Sequence, residues 1–243
     1  VEVMSFVKPN LPSGRVKKAF VSEIIDKTIQ NSLNELGVEP VFLKPSPNLN
    51  SELRFHPDIL FFNPSEGVWL SEKQNENMFV FCEVVNVDII LSDKYPSDCS
   101  FNMVAAGNTL ITGKKAYFDV NYMGGFERII YINQGYAKCS TVVLDEESFI
   151  TGDDSIYKAL KVRKLNVLKV TNKGILLNGF SNGFIGGCTG KPDKNLLAFT
   201  GNIKEHTDYE NIKSFCRNIG IEIISLSNKQ LYDYGGILPV IQE

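Results

Sequence analysis

The sequence predicts an α/β fold in which five copies of a strand–turn–strand–helix–strand unit form a five-bladed pseudosymmetric α/β-propeller, closed by pairing of its N- and C-terminal strands. Three observations predict it. An apolar residue followed by Ser or Thr and then Gly or Glu recurs at Ser22-Glu23, Ser71-Glu72, Thr112-Gly113, Thr151-Gly152 and Thr200-Gly201. A period of roughly 40 to 50 residues marks one supersecondary unit copied around an axis or along a line. Second, Cys99-Ser100, Cys139-Ser140 and Cys188-Thr189 stand 12 or 13 residues before three of the anchors, and Asp58 stands 13 before Ser71. Third, Ser22 has too little chain ahead of it for a whole unit, while Gly235-Gly236-Ile237 near the other terminus has the form of Gly186-Gly187-Cys188. One unit is therefore split between the termini, and pairing of residues 237–241 with 18–21 would complete it and leave no array edge unmatched.

The elements follow in order. In the first unit Ile25, Ile29, Leu33 and Leu36 share one face of a helix stopped by Gly37, and residues 40–43 read as a strand. In units two and three the helical pattern is weak and falls at 75–85 and 119–126. In the fourth, strands at 141–144 and 148–151 flank the acidic turn Asp145-Glu146-Glu147, Asp153 and Asp154 cap a short helix, and a strand follows at 166–170. The fifth has the clearest helix: Thr207 and Glu210 make a capping box, Tyr209, Ile212, Phe215, Cys216 and Ile219 mark its apolar face, and Gly220 ends it.

Composition sets outer bounds. With 243 residues, 43% hydrophobic and 22% charged, the chain can bury a substantial core, and the repeat argues for a single domain over residues 1–243. A net charge of -3 gives no electrostatic reason for a nucleic-acid partner. No apolar run approaches the roughly 18 residues of a membrane span, and the first ten residues lack a signal-peptide core. Five cysteines without a CxxC pair suit reduced thiols in a cytoplasm. His56 and His206 are too far apart for a metal-ligand motif, so neither metal nor cofactor is expected. No feature specifies an oligomeric state.

Several strings carry a resemblance: His56-Pro57-Asp58, Tyr95-Pro96, residues 134–140 (Gln-Gly-Tyr-Ala-Lys-Cys-Ser), Gly183-Phe184-Ile185-Gly186-Gly187 and the closing Gly235-Gly236-Ile237. With the fivefold count and the split unit, they resemble the pentein fold of guanidino-group-modifying enzymes, and within it an uncharacterised bacterial family. The resemblance covers nearly the whole chain. It implies a small-molecule substrate and attack of a cysteine thiolate on a guanidinium carbon, with carboxylates binding the planar cation and a histidine carrying a proton to the departing amine. Yet the segment in which those enzymes keep their nucleophile is here Gly235-Gly236-Ile237-Leu238-Pro239-Val240, without a thiol, and the His-x-Asp string lies in the second unit. A non-catalytic pentein that binds a ligand or partner at its mouth is the other implied function.

The expected site is therefore a rearranged one. Cys139 or Cys188 is the candidate nucleophile, His56 the acid/base, and Asp58, Asp98, Lys138 and Asp233 the substrate-binding groups. Cys139 is favoured because Gln134, Tyr136, Lys138 and Ser140 surround it and a nearby ammonium lowers a thiol pKa. In a regular strand, however, Lys138 and Cys139 would point to opposite faces, whereas His56 and Asp58 would share one. Cys99, Cys139 and Cys188 have a second reading as small core residues, as do Cys82 and Cys216 on apolar helical faces. Asp98 and Asp233 could equally cap turns. His206, before the last helix, reads as a solvated surface histidine. The glycine-rich stretch at 186–191 fails as a phosphate loop because Ile185 and Pro192 occupy required positions.

Overall fold

Each repeat anchor closes, or nearly closes, the middle strand of a small mixed sheet. The computed structural model describes residues 4–114 and 125–243. Its N-terminal part contains β1 (Ser5–Phe6), β2 (Val16–Ser22), helix α1 (Lys27–Glu35) and β3 (Glu39–Leu43). Next come α2 (Pro57–Leu60) with β4 (Phe61–Ser65), β5 (Val68–Ser71) and β6 (Glu83–Asn86), and then β7 (Val104–Ala106), β8 (Thr109–Gly113) and β9 (Arg128–Ile132). The fourth unit holds β10 (Thr141–Val143), β11 (Ser148–Thr151), α3 (Asp154–Val162) and β12 (Asn166–Lys169). The fifth holds β13 (Thr189–Asp193), β14 (Leu196–Phe199), α4 (Tyr209–Asn218) and β15 (Glu222–Ser225), before the final strand β16 (Leu238–Gln242).

Four sheets have the same wiring. The middle strand pairs antiparallel with the strand before it and parallel with the strand after it. The split unit repeats this wiring with strands from both ends of the chain: β2 is parallel to β3 and antiparallel to β16, with Leu238 opposite Phe20, Pro239 opposite Ala19 and Ile241 opposite Lys18. β1 adds to the outer edge of β16. Gln242 ties this edge down, accepting from the Ser13 N–H (2.7 Å) and donating to the Phe6 carbonyl (3.2 Å).

The anchors have a structural use. All five are buried. Thr151 Oγ1 donates to the Ser140 carbonyl and Thr200 Oγ1 to the Tyr232 carbonyl, each at 2.7 Å. At Thr151 and Thr200 the hydroxyl thus satisfies a backbone acceptor, whereas Ser22 Oγ and Thr112 Oγ1 are buried without a hydrogen-bond partner.

Helix α1 starts at Asp26, whose carboxylate accepts the Thr28 N–H, buries Ile29 and Leu33, and is followed by Gly37 at φ 80°. Asp153 caps α3 as expected, accepting from Ser155 and Ile156. Three expectations need correction. The capping box at Thr207 and Glu210 is not the start of α4; Asp208 occupies the N-cap without a side-chain cap bond, because its carboxylate accepts from the Thr171 N–H instead. Residues 75–85 form no helix: Asn75 and Asn77 bond to one another, and Asn77 also bonds both backbone groups of Lys44, offering the chain partners that compete with a helical ladder. Cys82 therefore sits half-buried in a turn before β6, not on a helical face. The third is His206, which is buried, with Nδ1 accepting from the Asp208 N–H and Nε2 bonded to the Thr171 carbonyl. Of the helix expected at 119–126, residues 119–124 lie outside the described residues.

The seam between the first and second units is aromatic. Phe20 of β2 lies 5.6 Å from Phe61 and 4.8 Å from both Trp69 and Phe79, ring centre to ring centre. Pairs of this kind contribute about 0.5–1.5 kcal/mol each beyond their buried area. Loss of β16 would strip the antiparallel partner from β2 and uncover this cluster. Deletion of residues 234–243 is expected to abolish cooperative unfolding followed by circular dichroism; a sharp transition at an unchanged midpoint would contradict it.

Candidate functional site

The functional groups sit just ahead of the first strands, in turns and short helices. His56 is the N-cap of α2, whose first residue, Pro57, has a preset φ that suits helix entry. Asp98 and Cys99 lie in a 3₁₀ turn at Ser97–Cys99, Cys139 in a turn closed by Ser140 N–H to Tyr136 carbonyl, and Cys188 in a 3₁₀ turn at Gly186–Cys188. The strand-alternation argument therefore does not govern them. Lys138 and Cys139, successive in a helical turn, both interact electrostatically with Asp58.

Cys139 and Cys188 are not structurally equivalent, although each stands 12 residues before its anchor. Thr151 faces Thr141, two residues beyond Cys139, whereas the N–H of Thr200 bonds the carbonyl of Cys188 itself. Between Gly190 and Asp193 the fifth hairpin carries a register shift. The displaced Cys188 is wholly buried, donates to the Ile185 carbonyl at 3.2 Å and packs with Leu197, Phe199, Ile212 and Cys216. It does not line the cavity over Cys139.

Around Cys139 the structure gathers His56 and Asp233. One donor atom from each of the three lies within 4.8 Å of the others, and all three residues are buried. His56 Nδ1 is 3.8 Å from Asp233 Oδ1 and has no hydrogen-bond partner. Asp233 is oriented by backbone donors, Phe184 N–H on Oδ2 (2.8 Å) and Gly235 N–H on Oδ1 (3.0 Å). Close approach requires glycine beside it: a Cβ on Gly187 would stand 1.8 Å from Asp233 Oδ1. Asp58 lies behind the sulfur, its Oδ1 accepting the Cys139 thiol at 3.1 Å and its Oδ2 without a partner.

The residue that locks this arrangement is one the sequence reading missed. Asn102, fully buried, accepts from the Lys138 and Cys139 N–H groups (2.7 and 3.1 Å) and donates through Nδ2 to the Asp58 carbonyl (2.9 Å) and Cys139 Sγ (3.1 Å). It joins segments of three units. Its only sequence signal was its place three residues after Cys99, in the Cys-(Ser/Thr) landmark.

Asp98 and Lys138 lie outside the first contact layer. Asp98 accepts from the Tyr136 hydroxyl at 2.5 Å, and Tyr136, rather than Asp98, lines the cavity. Lys138 lines a separate cavity of about 20 Å³ with Asp58 and Trp69. The space over Cys139 measures about 270 Å³ and is walled by Leu53, Leu177, Tyr136, Phe180 and Phe184. A larger groove of about 680 Å³ runs past Arg15, Glu35, Asp193 and Glu222, but it has no buried nucleophile or histidine.

Burial dominates the ionisation of the site. It holds the Cys139 thiol well above its ordinary pKa, with Asp58 and Asp233 adding to the rise. It depresses His56, against the pull of Asp233 and Glu52, and depresses Lys138. It raises Asp233, and it raises Asp58 to about 7 against the opposing charge of Lys138. The uncharged forms of thiol, imidazole and carboxyl are therefore all favoured. Histidine, cysteine and aspartate are also the donor types of a zinc site, and these three are the candidates for holding an ion.

Residues 20–238 match the model of a family of unknown function (DUF6873). The chain belongs to that family. No curated protein matches it. Among solved structures, it is similar to the inosamine-phosphate amidinotransferase of Streptomyces griseus (8% identity, covering 97% of each chain, TM-score 0.57). It is also similar to a cysteine-to-serine variant of the C. jejuni agmatine deiminase with substrate bound (10% identity, 93% of this chain and 91% of that one, TM-score 0.54). A third likeness is to DDAH from Pseudomonas aeruginosa, a cysteine-to-serine variant complexed with citrulline (7% identity, 88% and 92%, TM-score 0.52). The fold is thus the pentein fold. In this pentein all described cysteines are free, and no described helix is long and apolar enough to cross a membrane.

The raised Asp58 pKa sets a sign for stability. The folded state holds a proton on Asp58 that the unfolded state has released between about pH 4 and 7, so this group's contribution falls as pH rises through that window. Asp58→Asn removes the effect. It also leaves Lys138 without its neighbouring anion, which favours the neutral amine in the folded state and again makes the variant relatively more stable at higher pH. The stability of Asp58→Asn minus that of the native chain is expected to increase between pH 5 and pH 8 in urea titrations. A difference that is flat or shrinks over that range would be inconsistent with a buried, proton-retaining Asp58.

Proposed function

We propose that this protein is a cysteine-dependent hydrolase or amidinotransferase-like enzyme acting on a small guanidino or amidino compound. In this reading the five units close into a ring whose mouth is the cavity over Cys139. The observation that carries it is the convergence of Cys139, His56 and Asp233 within 4.8 Å at that cavity. The fold neighbours support the general kind, since their names are those of an amidinotransferase, a deiminase and DDAH.

The chemistry follows from the groups present. Asp233 pairs with the cation of the ligand, and the added positive charge favours the Cys139 thiolate that burial otherwise suppresses. The thiol proton passes to the neutral imidazole of His56, while Asp58, which accepts the thiol hydrogen bond, orients the sulfur. Sulfur adds to the guanidinium carbon, and the C–N bond breaks as His56 delivers a proton to the departing amine. Water then adds to the amidino-thioether carbon, giving a ureido product and restoring the thiol; an amine acceptor in place of water gives amidino transfer.

A second reading, a non-catalytic pentein that binds a ligand at the same mouth, is favoured by the absence of a thiol in Gly235-Gly236-Ile237-Leu238-Pro239-Val240 and by the protonated state of Cys139. A panel of guanidines assayed for ammonia and ureido product separates the two. Cys139→Ser is expected to reduce turnover at least a hundredfold, whereas Cys188→Ser leaves kcat unchanged. Equal loss in both variants, or binding without turnover by the native chain, would count against the enzyme.

A further inference from the structure

The cavity over Cys139 has a one-sided lining. Asp233 and the sulfur lie together in it, with Asp58 behind the sulfur. The walls are aliphatic and aromatic, and the other polar groups on them, the His56 imidazole, the Tyr136 hydroxyl, Asn172, Ser181 and Asn182, carry no permanent positive charge. Among the described residues no lysine or arginine lines it. Lys138, although next to Cys139 in the chain, lines the separate small cavity beside Trp69.

We infer that the ligand of this cavity is a short alkyl- or aryl-substituted guanidine or amidine bearing no carboxylate, phosphate or other acidic group. This rests on the guanidino reading of the same site and narrows it. A planar cation placed at Asp233 can lie along the faces of Tyr136 and Phe184, whose rings are stacked with centres 6.1 Å apart and planes at 28°. Its stem then runs between Leu53 and Leu177 toward Phe180, which is 46% exposed at the mouth. An acidic substituent would meet no permanent cation there. It would be desolvated against apolar walls, near the like charges of Asp233 and Glu52, which both act on the His56 ring. At about 270 Å³ the space falls below the roughly 300–1,000 Å³ typical of drug-sized ligands, so the stem is short.

Calorimetric titration of the full chain, native and Cys139→Ser, with butylguanidine, L-arginine and butylurea tests this. Butylguanidine is expected to bind about tenfold or more tightly than either competitor, since arginine adds an unpaired carboxylate and butylurea lacks the charge. L-Arginine binding as tightly as butylguanidine overturns the inference while leaving the guanidino reading intact. Butylurea binding as tightly as butylguanidine, or no binding by either guanidine, overturns both. Phe180→Arg places a cation at the exposed end of the stem and is expected to raise L-arginine affinity several-fold; an unmoved L-arginine affinity also overturns the inference.

Discussion

The antiparallel seam between β2 and β16 is the constraint on which the site depends. Just ahead of it, residues near the C-terminus meet the second unit: the carbonyl of Gly235 accepts the N–H of Asp58, and Asp233, two residues earlier and also bonded to Leu176 and Phe184, comes to lie beside His56. Gly235 adopts φ 77°, and a Cβ there would stand 2.5 Å from that of His56, so the turn needs glycine both for its backbone and for its neighbour. Packing of Phe20 against Phe61 and Trp69 then fixes β2 against the unit that carries His56 and Asp58. Strand register at one end of the chain thereby sets side-chain distances among groups nearly 180 residues apart.

Much of this was legible in the sequence, because small residues that fit a buried strand end, and helix caps and stops, are local devices that recur wherever the local problem recurs. Ser22, Ser71, Thr112, Thr151 and Thr200 are all buried at or next to the end of a middle strand and mark the unit correctly, although Ser22 and Thr112 make no hydroxyl bond, and Asp153 and Gly37 mark real helix ends. The misreadings have a common cause. Constant spacing does not mean constant position: Thr151 ends its strand opposite Thr141, two residues past Cys139, whereas Thr200 lies one residue past β14 and bonds Cys188 itself, so Cys188 packs in the core while Cys139 lines the cavity. The missing helix at 75–85 and the failed capping box at 207–210 likewise reflect side-chain bonds across the fold, from Asn77 to Lys44 and from Asp208 to Thr171, that local pattern does not encode. Asn102 escaped notice because an asparagine becomes a clamp only when three units meet around it.

The same seam creates an electrostatic problem. Asp58, Asp233, His56, Lys138 and Cys139 are all largely removed from water, where isolated charges are costly and neutral forms win. Backbone donors offset part of this at Asp233, and Lys138 offsets part at Asp58. Neither supplies a permanent positive charge on the cavity side of Cys139. The sulfur thus lies in a setting that opposes its own ionisation, although Asn102 donates to it and Asp58 accepts its hydrogen bond.

On the proposed function, such a setting would make ligand charge the controlling variable. If a cation at Asp233 lowers the pKa of Cys139, then by linkage ionisation of Cys139 must tighten cation binding by the same factor, because both describe one coupling free energy. A neutral ligand of equal shape has no such coupling and leaves the thiol protonated. In the proposed enzyme, the burial that disfavours the Cys139 thiolate would therefore also make the site selective: the thiolate would form only when a cation fills the cavity, and other electrophiles would meet a protonated sulfur beside Tyr136 and Phe184.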